Sequence, residues 1–324
     1  MSIVSSLTII VLSSIAILFS GKWFAGASSL LGNYLRMPPS VKAATFDAVS
    51  SSLPELMVAL FSVIAFGKFE VGIGTIAGSA FFNVLIIPGI CVLVSPVVFK
   101  LNKKVLTRDA MFYFVTVVLL LSILLATKNW GYGVALLLLG TYAIYILIIT
   151  KDTKSYQKKE KPKRDVINLK KKVLIAVATL IVIGFASYFL TQEAINFAEL
   201  VGISPLIVGF TIVASATSFP DAVISIVNAK KGLPDDAISN VFGSNNFNIL
   251  FALGFPLLIA TIISGPTRII FDHLEIIGGL LVTTIITYWF MANDKKISKT
   301  EGVIMILLFC VFIGYIIFLS LHGH

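Results

Sequence analysis

Charge is scarce in this sequence. Only 13% of residues are Asp, Glu, Lys or Arg, 57% are hydrophobic, and the mean hydropathy is +0.99. That composition excludes a soluble globular domain, which has no use for so much apolar surface. Histidine is scarcer still. His273, His322 and His324 lie at a loop edge and in the tail, and neither His-Glu-x-x-His nor Gly-x-Ser-x-Gly occurs. A metalloprotease site and a nucleophile elbow are therefore both missing, and no enzyme activity is expected. The two cysteines, Cys91 and Cys310, sit in apolar runs in opposite halves. They read as small buried hydrophobes and support neither a disulfide nor a thiolate metal site. A cleaved signal is also lacking. Met1-Ser2 carries no basic side chain and Lys22 comes after the first apolar run, so that run is expected to remain as a span. The formal net charge of +9 does not call for nucleic acid, because cytoplasmic loops of membrane proteins are rich in Lys and Arg.

What is present is a series of long, continuous, non-alternating apolar runs. Each is near the roughly 20 residues needed to cross a bilayer, and with no water to pair backbone groups such runs must be helical. The expected fold is an all-α polytopic membrane protein of about ten transmembrane helices. They fall at about 3–31, 43–66, 71–99, 110–126, 131–150, 173–189 (extending toward 198), 205–229, 237–263, 274–291 and 303–321. Residues 151–172 form the one long polar segment, with ten basic and three acidic residues, and are expected to be a mobile cytoplasmic linker. It separates a first five-helix unit, 1–150, from a second, 173–324.

Basic residues set the orientation. With the N-terminus outside, the inner loops hold Arg36, Lys42, Lys100, Lys103, Lys104, Arg108, the linker, Lys230, Lys231, Lys295, Lys296 and Lys299. The outer loops hold only Lys68, Lys128 and Arg268. Five spans per unit is an odd number, so the second unit is inserted upside down. Such an inverted repeat is the architecture of many secondary transporters.

One stretch occurs twice. Ala48-Val-Ser-Ser51-Ser52-Leu-Pro54-Glu55 is matched by Ala214-Ser-Ala-Thr217-Ser218-Phe-Pro220-Asp221. Each is followed by a Gly-Ser pair and an asparagine: Gly78, Ser79 and Asn83, then Gly243, Ser244 and Asn248. The copies are offset by 166 positions at the acids (55 to 221) and 165 at the asparagines (83 to 248), so the unit is duplicated. The repeated motifs span about 44–86 and 210–251.

An acid in mid-membrane costs about 2.5–3.5 kcal/mol even on lenient insertion scales, so it needs a reason. Asp47, Glu55 and Asp221 are read inside spans, and no Lys or Arg lies near mid-span in the motif helices. A locally bonded, protonated acid accounts for one such residue but not for two repeat mates in matching Ser/Thr-rich contexts. Pro54 and Pro220 remove a helix hydrogen bond and free carbonyls about one turn earlier. Freed carbonyls, hydroxyls and carboxylates make an all-oxygen shell. That shell suits Ca2+, which takes about six to eight oxygens in flexible geometry, and Na+, which is of similar radius. Zn2+ and Cu+ lack their soft ligands, and Mg2+ prefers stricter octahedral sites. Gly74, Gly78 and Gly243 read as small residues that let helices approach. Ser79, Ser244, Asn83 and Asn248 are ordinary interhelical polar residues in isolation, but their matched placement favours a ligand role. Asp47 has Val213 at its mate position, and it either draws cations in or sits near the interface.

These residues resemble the cation/Ca2+ exchanger superfamily, whose two α-repeats are similar to these stretches along essentially the whole chain. Within it, 48–55 with 74–83 looks most like the α-1 repeat of Na+/Ca2+ exchangers, and 217–221 with 243–245 like the α-2 repeat. The resemblance implies Ca2+ held centrally by Glu55 and Asp221, with backbone carbonyls near Ser51 and Thr217 and with Asn83 and Asn248 completing the shell. It also implies flanking Na+ sites drawing on Ala48, Ser52, Ser79, Ala214, Ser218 and Ser244. K+-dependent members carry an aspartate where this chain has Asn248. H+/Ca2+ exchangers show Gly-Asn before the acid, where Ser51-Ser52 and Thr217-Ser218 stand in this chain. The large regulatory Ca2+-binding domains of animal exchangers have no room in the 22 residues of 151–172.

The expectation is therefore a Na+/Ca2+ antiporter working by alternating access in the plasma membrane. A single chain suffices, Na+ and Ca2+ are its substrates, the lipid bilayer is its surroundings, and it has no resident cofactor. H+/Ca2+ exchange is the alternative. A Ca2+ channel is the remote one, because channels usually build a symmetric oligomeric filter.

Overall fold

The structure is a computed structural model describing residues 2–160, 169–269 and 274–322. Among the described residues, eight helices are long and apolar enough to cross a membrane, and two bent pairs bring the number to ten. They are α1 (Ile3–Tyr34), α2 (Pro39–Ser51, then Leu53–Ile64), α3 (Phe69–Val94), α4 (Val105–Ala126) and α5 (Tyr132–Glu160). The second set is α6 (Leu169–Val201), α7 (Pro205–Thr217, then Phe219–Lys230), α8 (Pro234–Ser264), α9 (Leu274–Ala292) and α10 (Lys299–His322).

Several boundaries differ from the sequence expectation: α3 ends at Val94, not near 99, and those of α2, α4 and α5 also move. Helix α2 begins at Pro39, not near 43, because proline at the first helical position gives up an N–H that has no intrahelical partner anyway. Its repeat mate Pro205 opens α7 in the same way. Helix α4 begins at Val105, not near 110, which brings Arg108 and Asp109 inside the helix. Helix α5 runs on through Glu160, so the first part of the segment expected to be a mobile linker is helical. Leu169 to Lys172 open α6, and 161–168 lie outside the described residues. Lys, Gln and Glu are good helix formers, so the apolar run ends before the helix does.

The duplication is visible at each level of the backbone. Helix α2 bends by 42° and α7 by 43° at their breaks. Wider π-type turns occupy Ala43–Asp47 and Gly209–Val213 in these helices, and Phe82–Ile86 and Phe247–Phe251 in α3 and α8. Gly67 and Gly232, 165 positions apart, both take positive φ, at +62° and +72°, in the turns after α2 and α7.

Pairing between loops shows that the repeats are inverted. The α3–α4 connection pairs with the α9–α10 connection through Leu101 N–H to Lys295 O (2.8 Å) and Ile297 N–H to Phe99 O (3.0 Å). The α4–α5 connection pairs with the α8–α9 connection as a small antiparallel ribbon, β1 (Asn129–Trp130) with β2 (Thr267–Arg268). The start of α4 therefore lies with the end of α9, and the end of α4 with the start of α9. These mates run in opposite directions.

The two motif helices of each repeat cross those of the other at their glycines. A Cβ on Gly78 would collide with the backbone of Phe210, and one on Gly243 with the backbone of Ala44. These two contacts are repeat mates of each other, so a pseudo-twofold axis runs between α2, α3, α7 and α8. Helices α1 and α6 pack along each other outside this centre. They leave Phe19, Trp23, Leu174 and Phe185 exposed, as lipid-facing side chains should be.

Candidate cation site at the helix breaks

The site is built where α2 and α7 break. Pro54 and Pro220 sit at the second position of the second half-helices and have no N–H to continue the ladder across the break. Ser52 and Ser218 stand at the breaks, and Glu55 and Asp221 fall one turn later in the first turn of each half-helix. Helix N-termini favour negative charge, which adds to the tolerance of an acid at this depth. Both carboxylates are fully buried.

Their partners come from both repeats. Ser79 donates to Glu55 Oε1 (3.1 Å), and its mate Ser244 donates to Asp221 Oδ1 (2.8 Å). Ser218 reaches across to Glu55 Oε1 (3.5 Å), and its mate Ser52 reaches across to Asp221 (3.4 Å to Oδ1). Thr217 faces Glu55 as its mate Ser51 faces Asp221. Ser218 also donates to Ser79 Oγ at 2.8 Å, linking the halves directly. The Ala48 carbonyl accepts from Ser51 Oγ (3.2 Å) and lies 3.5 Å from Ser244 Oγ. The Ala214 carbonyl accepts from Thr217 Oγ1 at 3.3 Å. The acids, serines and threonine singled out in the two motifs, with the Ala48 and Ala214 carbonyls, therefore lie in one cluster.

The asparagines break the symmetry. Asn83 donates to Asp221 Oδ2 at 2.9 Å, whereas Asn248 donates to Ser79 Oγ at 3.3 Å and makes no bond to Glu55. Both stand at the second position of a π-type turn, where the extra residue re-aims the side chain. Three buried acceptor oxygens in the cluster have no partner: Glu55 Oε2, Asn83 Oδ1 and Asn248 Oδ1. Among the described residues no ion pair involves Glu55 or Asp221. A buried acceptor without a donor costs roughly 1–3 kcal/mol, and a metal cation is what such oxygens can satisfy. The residues present fit a hard cation with oxygen ligands.

Asp47 is also buried, with Oδ1 unpartnered; its backbone carbonyl accepts from Ser51 Oγ at 2.8 Å, but its carboxylate does not bond to the central cluster. Two further polar groups escaped the sequence reading. Asp109 is fully buried in α4 and holds Arg108 Nη2 at 2.7 Å, Ser239 Oγ at 2.9 Å and Tyr145 Oη at 3.2 Å. Its position beside basic residues made it look like loop. Asn245, fully buried, accepts from Asn83 Nδ2 at 3.1 Å. It has Ala80 for a mate, so a search for matched residues passes over it.

Inverted repeats, broken helices and a polar centre at their crossing together define a secondary transporter of cations. Comparison with known proteins narrows this class. The model of the sodium/calcium exchanger protein family matches residues 5–151 and 171–318. The chain belongs to the sodium/calcium exchanger family, whose members are cation/Ca2+ exchangers and not enzymes. It is 28% identical to the putative antiporter CaxA of Alkalimonas amylolytica over 95% of this chain and 97% of that one. It is 34% identical to the sodium/calcium exchanger MaX1 of Methanosarcina acetivorans over 43% of this chain and 38% of that one. Among solved structures, the sodium-calcium exchanger NCX_Mj soaked with Na+ and Sr2+ aligns with a TM-score of 0.69 at 21% identity, covering 97% of this chain and 99% of that one. At that identity the likeness is one of fold.

Proposed function

We propose that the chain is a Na+/Ca2+ antiporter working by alternating access, with Glu55 and Asp221 as the carboxylates of a shared central site. The observation that carries this is the pair itself. Two fully buried acids, one from each inverted repeat, share serine donors across the pseudo-twofold axis and have no basic partner among the described residues. Either Ca2+ or several Na+ neutralises such a pair, so the occupied site can reorient, while the empty one carries two charges that the membrane interior penalises. Asn83, Asn248 and the carbonyls near Ser51 and Thr217 complete the Ca2+ shell. Ala48, Ser52, Ser79, Ala214, Ser218 and Ser244 serve flanking Na+ sites. The names of the family and of the relative MaX1 support Na+ as the coupling ion. One chain contains the whole site, so a monomer suffices for transport. The N-terminus lies outside and the basic 151–172 segment lies in the cytoplasm, with the plasma membrane as the site of action.

The test is uptake of radiolabelled Ca2+ into proteoliposomes loaded with Na+, K+ or acidic choline buffer. Uptake with internal Na+ alone, abolished by Glu55→Ala or Asp221→Ala, is the expected result. Uptake driven by internal acid alone would assign proton coupling instead. Uptake indifferent to every gradient would overturn exchange.

A further inference from the structure

The two halves of the site are not equivalent, and one residue on the symmetry axis accounts for the difference. Asn245 Nδ2 donates to the carbonyl of Ala80 at 3.3 Å. Ala80 is the repeat mate of Asn245, 165 positions earlier. A residue that touches its own mate lies on the pseudo-twofold axis. Two copies of a long side chain cannot share that place, so one mate is asparagine and the other is alanine. Both are fully buried.

Hydrogen-bond logic fixes both amides from their ends. The Ala80 carbonyl can only accept, so Asn245 must present its NH2 there and its Oδ1 to the other side. The Asp221 carboxylate, already bonded by Ser244 and Ser52, accepts from Asn83 Nδ2, and the second N–H of that same NH2 meets Asn245 Oδ1. Asn83 is thereby held at both N–H groups, and its carbonyl oxygen is left unpartnered. Asn248, the mate of Asn83, has no such support, since Ala80 offers no side-chain acceptor. Its amide bonds to Ser79 instead.

We infer that Asn245 is a positioning residue for cation binding: it clamps the Asn83 amide so that the NH2 caps Asp221 and the carbonyl oxygen is presented as a fixed ligand. Building on the exchange reading above, this makes the site one-sided. Asp221 is satisfied by protein donors on both oxygens, whereas Glu55 keeps Oε2 free. A divalent cation shared by the two acids therefore finds its open oxygens on the Glu55 side, at Glu55 Oε2, Asn83 Oδ1 and Asn248 Oδ1. The duplicated motifs bring two like carboxylates together, and the unmatched residue on the axis gives them different tasks.

The test compares the full chain with Asn245→Ala and with the swap Ala80→Asn/Asn245→Ala, in proteoliposomes under whichever gradient supports uptake. Losing the clamp costs Asn83 one hydrogen bond, so Asn245→Ala is expected to raise the KM for Ca2+ roughly fivefold, with the maximal rate within about twofold of the parent. The swap places the amide on the same axis from the other repeat, where it supports Asn248, and is expected to bring the KM back. An unchanged KM in Asn245→Ala overturns the clamp. So does a loss of rate and affinity together that the swap fails to restore, which marks a merely structural residue. Asn245→Ser, too short to reach Asn83, repeats the test if the alanine variant does not fold. Should the unaltered chain show no gradient-driven uptake, the exchange reading fails by itself. The clamp is then judged by calorimetric Ca2+ titration of the same variants in detergent, with the same fivefold weakening expected and an unchanged affinity overturning it.

Discussion

Glu55 and Asp221 occupy the same place in the duplicated motif, yet their surroundings differ in a way that substitution should expose. Asp221 accepts from Ser244, Ser52 and Asn83 on its two oxygens, whereas Glu55 accepts from Ser79 on Oε1, with the Ser218 hydroxyl 3.5 Å from the same oxygen and turned to Ser79. Asp221→Asn replaces one accepting oxygen with an NH2, which either meets the Asn83 NH2 donor to donor or makes the Ser244 and Ser52 hydroxyls turn and give up their bonds to Oδ1. Glu55→Gln can turn its NH2 to the side where no donor stands. Both are expected to abolish Ca2+ transport, but Asp221→Asn should also lower the thermal stability of the detergent-purified protein more than Glu55→Gln. The gap should be about 1–3 kcal/mol, the cost of an unmade buried hydrogen bond. Equal melting temperatures would show that the donors around Asp221 do not discriminate. At this scale the sequence was legible wherever residues come in matched pairs: both acids, both prolines, the serines and the asparagines lie in the cluster. Asn245 was not legible, because its role depends on being unmatched. Asp109 was not legible either, because an acid beside Arg108 and downstream of three lysines reads as loop until the buried ion pair is seen.

The glycine crossings and the start of α4 carry the helix packing. Gly78 against Phe210 and Gly243 against Ala44 are the same contact made twice, so Gly78→Ala and Gly243→Ala should behave alike. Each puts a methyl into facing backbone, and overpacking of this kind costs about 1–3 kcal/mol. The matching falls in melting temperature should come with loss of transport, since the helices being pushed apart carry the serines of the site. A large effect from one glycine and none from the other would contradict the pseudo-twofold crossing. The Arg108–Asp109 pair makes a different prediction. Asp109→Ala strands a guanidinium that is only 8% exposed, leaving Asp152 as its partner at 3.2 Å. Breaking a buried pair from one side costs about 3–5 kcal/mol, so this variant should unfold at markedly lower temperature. The double change Arg108→Met/Asp109→Leu should recover part of that loss, the rest lying with Ser239 and Tyr145, whose buried hydroxyls lose their acceptor. Neither change touches the cluster at the helix breaks, so the KM for Ca2+ of the folded protein is expected to stay put. At the level of elements, apolar runs revealed how many helices there are but not where they end. Helix α5 outlasts its apolar run through a stretch that includes four lysines, one glutamine and one glutamate, residue types that also suit a helix in water. Pro39 precedes the apolar run and still starts its helix, because at the first helical position a missing N–H has no intrahelical partner to lose.

For the whole molecule, inversion follows from parity in the sequence and from loop pairing in the structure, two independent arguments. Five spans per repeat force the second copy upside down, and the α3–α4 loop indeed lies with the α9–α10 loop, leaving the ribbon of Asn129–Trp130 and Thr267–Arg268 at the other end. The basic residues divide along the same line. Lys100, Lys103, Lys104, Lys295, Lys296 and Lys299 cluster on the face of the first loop pair, and Lys128 and Arg268 alone flank the ribbon. An inverted repeat has no orientation of its own, because turning it over returns much the same backbone. The charge bias is what selects one insertion, since lysine and arginine near span ends are retained in the cytoplasm. This yields a test independent of transport. In a chain carrying Cys91→Ala and Cys310→Ala, cysteines placed at the exposed positions Lys128 and Lys296 report the two faces. A membrane-impermeant maleimide added to intact cells should label Lys128→Cys and spare Lys296→Cys until the membrane is opened. The reverse pattern would place the N-terminus inside and detach the orientation from the charge bias. Labelling of both would mean that the two insertions coexist, and that the basic residues of one face do not suffice to choose between them.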